Sequence, residues 1–127
     1  MDQEIYPSRL EPQLAAQLLA GCEQLDPAGL CEAQDLPGMA ESGHCFAATA
    51  PQGQAVYIIK VKNGIAWIDA CKGFGPVKWA DVLLPVIEAQ AKGLAAVAFQ
   101  TKRPALIAKA IKKGYTVEGV IMRKSIQ

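Results

Sequence analysis

Asn63-Gly64 stands between two runs rich in β-branched and aromatic residues, AVYIIKVK at 55–62 and IAWIDAC at 65–71. This dipeptide accepts the two positive φ values of a tight hairpin turn, so the flanking runs are expected to pair antiparallel. Upstream, HCFAATA at 44–50 followed by Pro51-Gln52-Gly53 supplies another strand and another turn. Three consecutive strands make a central antiparallel meander, around which the rest of the chain has to be arranged.

The flanks alternate between helix and strand. Residues 4–10 read as a short extended opening. A helix is expected over 12–25, with Pro12 in its first turn and Leu14, Leu18, Leu19, Cys22 and Leu25 on one stripe. Residues 30–43 form a loop or one short helix. After the meander, GFGP at 73–76 interrupts. A helix follows over 81–92, with Leu83, Leu84, Ile87 and Ala91 on its apolar side and Gly93 as its stop. Pro85 requires either that this helix starts near Asp81 or that it kinks. The nearly all-apolar stretch from Leu94 to Gln100 reads as a short strand buried on both faces. The next helix carries Thr101 as cap, Pro104 in its first turn and Leu106, Ile107, Ala110 and Ile111 as its buried stripe, and Gly114 closes it. A last strand is expected over 115–126, with Gly119 marking a bulge.

At 127 residues and 13.5 kDa the chain has the size of a single domain, 1–127. A hydrophobic fraction of 51% against 20% charged excludes a mainly disordered chain. No apolar run is long enough to span a membrane, and residues 1–4 are acidic where a secretion signal is basic, so a cytoplasmic protein is expected. The net charge of +1 conceals a division. Residues 1–59 hold one basic residue against eight acidic ones, and residues 60–127 hold twelve against four. The halves either neutralise each other by packing or leave a basic concavity for a phosphate-bearing ligand.

Cys22, Cys31, Cys45 and Cys71 contain no C-x-x-C pair, and the single histidine, His44, stands at irregular spacings from them. Free, packed thiols and no metal site are expected. His44 and Cys45 face opposite sides of any strand, which argues against their acting as a nucleophile and base pair.

The order β-α-(α)-β-β-β-α-β-α-β, with Lys112-Lys113-Gly114-Tyr115 before the last strand, resembles the GNAT N-acetyltransferases over almost the whole chain. The resemblance implies a mixed α/β sheet with a central antiparallel meander, acetyl-CoA as substrate and N-acetyl transfer as the activity. In that family the loop leaving the fourth strand carries R/Q-x-x-G-x-G/A, whose bare amides at a helix start bind pyrophosphate. The corresponding residues here are 75–80, GPVKWA, in which only Ala80 keeps the pattern: Gly75 replaces the Arg or Gln and Lys78 the first glycine. Lys72, Gly73, Phe74, Gly75, Lys78, Trp79 and Ala80 are the phosphate-binding residues that the resemblance implies. The family's general-acid tyrosine falls on Ala110, which has no proton to give. Tyr115 matches its packing aromatic.

Asp69 is the weak catalytic candidate. It is in phase with Ile65 and Trp67 on an otherwise apolar strand face, where burial would raise its pKa and let it deprotonate an amine. The alternative role is a structural pair with Lys60, Lys62 or Lys72. His44 is a second candidate base, without a neighbour in sequence to orient it. The other functional class open to this scaffold is a non-catalytic interaction or assembly protein, with a protein partner or a second copy. Small reduced domains of this type occur among bacteriophage-encoded proteins. Nucleic-acid binding through Lys102, Arg103, Lys109, Lys112, Lys113, Arg123 and Lys124 is disfavoured, because only Tyr115 in that stretch could stack on a base.

Overall fold

The computed structural model describes residues 5–21, 36–120, 122 and 124–126. The elements run β1 (Pro7–Arg9), α1 (Pro12–Leu19), α2 (Leu36–Ser42), β2 (His44–Ala50), β3 (Gly53–Lys62), β4 (Ile65–Phe74), α3 (Trp79–Gln90), β5 (Ala96–Ala98) and α4 (Pro104–Lys112). The strands form one mixed sheet in the order β1-β2-β3-β4-β5. The first four are antiparallel, and β5 lies parallel to β4.

The hairpin turn places Asn63 at φ 53° and Gly64 at φ 75°, as a tight two-residue connection of right-twisted strands requires. Five successive residues of β3, Ala55 to Ile59, are buried, so both faces of the sheet centre are covered. On one face Val56, Ile58 and Ala70 pack with Cys45 against Ala15 and Leu19 of α1 and Leu36 and Ala40 of α2. On the other, Ala55, Tyr57, Ile59 and Ala66 pack against Leu83 and Ile87 of α3 and the following Ala91.

The strand pairing slips by one residue between Ile58 and Ile59. Ile58 faces Ala70 and Ile59 faces Ile68, which leaves Asp69 as the extra residue of a β-bulge. The slip reverses the alternation: Ala66 and Ile68 belong to the α3 side, Ala70 to the α1–α2 side.

Several expectations are corrected. The first helix stops at Leu19 rather than residue 25: the chain leaves it at Ala20, whose ψ is 131°, and Gly21 follows at φ +89°; Cys22 and Leu25 lie outside the described residues. The third meander strand continues to Phe74, three residues beyond Cys71, still paired with Gln54. α3 begins at Trp79, so Pro85 sits in its interior, on an exposed position, and leaves the Asp81 carbonyl without its helical donor. β5 is three residues long and is a sheet edge with Ala96 exposed, not a strand buried on both faces. On α4 only Ala110 is buried, and Ile111 is 52% exposed. The described residues of 115–126 form no strand. The candidate at 30–43 resolves in part as α2.

Candidate functional site

The segment from the end of β4 to the first turn of α3 is where the phosphate-binding residues were expected. Its geometry follows from two glycines and one indole. Gly75, at φ +89°, passes so close to the backbone of Gln52 and Gly53 that a side chain would collide with it. Gly73 lies in β4 opposite Ala55, and a Cβ there would run into the indole of Trp79. The Trp79 ring occupies that space, and its Nε1–H donates to the Phe74 carbonyl at 3.0 Å. Trp79 also packs into the α3-side core.

The intervening chain folds onto itself. The Val77 amide donates to the Gly75 carbonyl at 2.8 Å, the Trp79 amide to that of Val77 at 2.9 Å and the Asp81 amide to that of Lys78 at 3.0 Å. Among the described residues, the amides of Lys78 and Ala80 have no backbone acceptor. The positive end of α3 has a carboxylate of its own in Asp81, in the first turn. Asp81 is held by Lys109 of α4 at 3.4 Å and by Lys113 just beyond it at 3.7 Å. Beside this turn, a cavity of about 290 Å³ is lined by Pro51, Gln52, Pro76, Val77, Lys78 and Val82, among others.

The expected set is brought together only in part. Gly73, the Phe74 carbonyl, Gly75 and Trp79 form one packed unit, with half-buried Ala80 next to it and exposed Lys78 at the helix cap. The side chains of Lys72 and Phe74 lie on the opposite face. Phe74 packs against the α1–α2 core, and the Lys72 ammonium sits 5.3 Å from its ring centre. That ammonium donates to the Ala20 carbonyl at 2.8 Å, closing the end of α1. Lys72 and Lys78 therefore do not share one anion.

Asp69 is half-buried at the bulge, and burial pushes its pKa up while Lys60 and Lys62 pull it down. Of the three lysines considered as its partner, Lys72 is engaged elsewhere. His44 is exposed at the start of β2. Cys45 is buried, its thiol donating to the Ala40 carbonyl at 3.3 Å and its pKa raised by burial, the environment of a packed thiol. Cys71 is half-buried opposite Tyr57, and Cys22 and Cys31 lie outside the described residues. Tyr115 packs edge-on against Phe99 and donates its hydroxyl to Glu88 at 2.8 Å, the role of a packing aromatic.

Two features were not legible beforehand. The Gly73–Trp79 contact spans a turn whose path depends on Gln52 and Gly53, although a glycine six residues before a tryptophan is its trace in the sequence. The buried Tyr57 hydroxyl bonds to Gln90 at 2.5 Å and pins α3 to the sheet centre, a long-range pair without a local signal.

No helix among the described residues is long and apolar enough to cross a membrane. No family model matches the chain, and no curated protein matches it. Among solved structures it is similar to TTHA1254 from Thermus thermophilus, at 17% identity, a TM-score of 0.43, and coverage of 87% of this chain and 92% of that one.

Proposed function

We propose that this chain is a non-catalytic association domain on a scaffold of the acetyltransferase type. The observation that carries the reading is the Trp79 indole, seated on Gly73 and bonded to the Phe74 carbonyl where an acyl-CoA pyrophosphate would approach the strand end. Asp81 supports it further, since a carboxylate already occupies the favourable electrostatic position at the head of α3 and would repel a phosphate. At Ala110 the general-acid hydroxyl of the related enzymes has no counterpart. The cations beyond the loop are partly spent as well, Lys109 and Lys113 on Asp81, which lowers the case for a phosphate-rich partner.

One observation favours the other reading, an acyl-CoA N-acyltransferase. β4 outruns its partner: the parallel pairing with β5 ends at Trp67 and Ala98, whereas β4 continues to Phe74. A thermal-shift titration with acetyl-CoA separates the two. A hundredfold excess over Kd would stabilise an acyl-CoA binder by about 2.7 kcal/mol. No displacement of Tm at millimolar acetyl-CoA is expected; a saturable rise, or acetylation of a polyamine or peptide panel, would overturn the association reading.

A further inference from the structure

The chain holds two tryptophans in opposite circumstances. Trp79 packs into the α3-side core, and its Nε1–H donates to the Phe74 carbonyl. Trp67 is half-buried but belongs to neither apolar cluster, and its Nε1–H has no acceptor among the described residues. None of their buried side-chain nitrogens lacks a partner, so this donor reaches solvent. Alternation puts Trp67 on the α1–α2 side, because its neighbours Ala66 and Ile68 face α3. On that side the two helices cover Cys45, Val56, Ile58 and Ala70. Past them, two cross-strand rows lie under no described helix: Lys60–Trp67–Ala98 and Lys62–Ile65–Ala96. Each row runs from a cation through a large apolar side chain to an alanine, which ends at Cβ and leaves the outer flank of its neighbour open. The cations are also unspent. Lys72 is bonded to Ala20, and Lys109 and Lys113 are paired with Asp81. Lys60 and Lys62 form no ion pair among the described residues, and the one carboxylate that both act on, Asp69, cannot balance two charges.

We propose that these two rows dock an acidic segment of a partner protein, which seats an apolar side chain on Trp67 and Ile65 and sets carboxylates on Lys60 and Lys62. This inference deepens the association reading and rests on it. Charge fixes the sign of the partner, because a basic patch steers and orients an acidic one. The indole fixes the place of its anchor: the ring offers apolar area, and the Nε1–H can donate to a carbonyl or carboxylate that arrives with it. A protein segment fits better than a single-stranded nucleic acid for two reasons. The patch has one aromatic ring, where successive bases need several to stack on. Asp69 at its margin repels an unbroken run of phosphates, whereas a peptide carries its charges only where its acidic residues stand.

The test uses the full chain, isotope-labelled for nuclear magnetic resonance, with its two indole N–H signals assigned through Trp67→Phe. The probes are blocked peptides in which aspartate and glutamate flank a central leucine, isoleucine, phenylalanine or tryptophan. At least one should move the Trp67 signal saturably with a Kd below about 1 mM and leave that of Trp79 in place. Its binding should weaken about tenfold between about 0.05 and about 0.5 M salt, as screening requires. Lys60→Gln combined with Lys62→Gln should also weaken it about tenfold, with the far-ultraviolet circular dichroism unchanged. Silence of the Trp67 signal at about 2 mM of every peptide overturns the proposal, as does an equal response to lysine-flanked peptides or indifference to the double substitution. So does an oligothymidylate that binds the patch more tightly than the acidic peptides, a Trp67 signal that moves with protein concentration alone, or contacts from its ring to another part of the same chain. The acetyl-CoA titration is read separately: a Tm rise there with peptide binding intact would sink the association reading alone, whereas silence in both would sink only the docking surface.

Discussion

The contact between Gly73 and Trp79 yields a prediction in which one substitution changes sign with its background. Gly73 lies in a strand at a φ that is not positive, so alanine there would ordinarily stabilise by about 0.5–1 kcal/mol through reduced freedom of the unfolded chain. The three atoms nearest to an added Cβ all belong to the Trp79 side chain. Gly73→Ala alone must displace the ring and should cost about 1–3 kcal/mol by overpacking. Trp79→Ala removes a half-buried indole and its hydrogen bond to Phe74, at a cost of about 2–4 kcal/mol. With the ring gone, Gly73→Ala should become neutral or stabilising, which makes the coupling about 1–4 kcal/mol. Urea unfolding of the four proteins measures this: at a slope near 2 kcal/mol/M, the coupling displaces the midpoint by about 0.5–2 M. Additive midpoints would refute the claim that the indole fills the strand end, and the association reading would lose its principal support.

Burial raises the pKa of Asp69, so folding favours its protonated form. The penalty for ionisation is present above the folded pKa and disappears as pH falls below the ordinary carboxylate range near 4. Asp69→Asn should therefore raise Tm at pH 7 and cease to do so near pH 3; a difference independent of pH would place the effect in packing. In α3, Pro85→Ala restores an amide able to donate to the Asp81 carbonyl, and should stabilise by about 1–3 kcal/mol. An unchanged melting curve would mean that the helix is already kinked to suit proline.

The sequence exposes what is local. Asn63-Gly64 announces its turn because few other pairs accept both φ values, and Gly93 and Gly114 mark real ends of helical segments at φ +100° and +95°. Thr101 does accept the Arg103 amide at 3.1 Å, although Arg103 rather than Thr101 is the cap. What fails depends on partners distant in the chain. The alternation through Ile65, Trp67 and Asp69 looks unbroken in the sequence, yet the pairing with Ile58 and Ile59 inserts a bulge there. Residues 115–126 have strand composition, but composition cannot supply a neighbouring edge. Of the candidate loop, the sequence reveals the glycines and the helix start. It does not reveal that Lys72 and Lys78 fall on opposite faces, because that division is set by the same bulge.

The extra residue in β4 acts as a parity bit for everything downstream of it. Removing Asp69 would leave Ile68 opposite Ile59 and Ala70 opposite Ile58, so the ladder would become continuous while residues 70–74 kept their present sides of the sheet. Lys72 would still reach the end of α1, and Gly73 would still lie under the Trp79 ring. The opposite change, drawing Asp69 into an unbroken ladder, would exchange the two sides for residues 70–74 and drive Lys72 beneath α3 into the apolar layer around Tyr57.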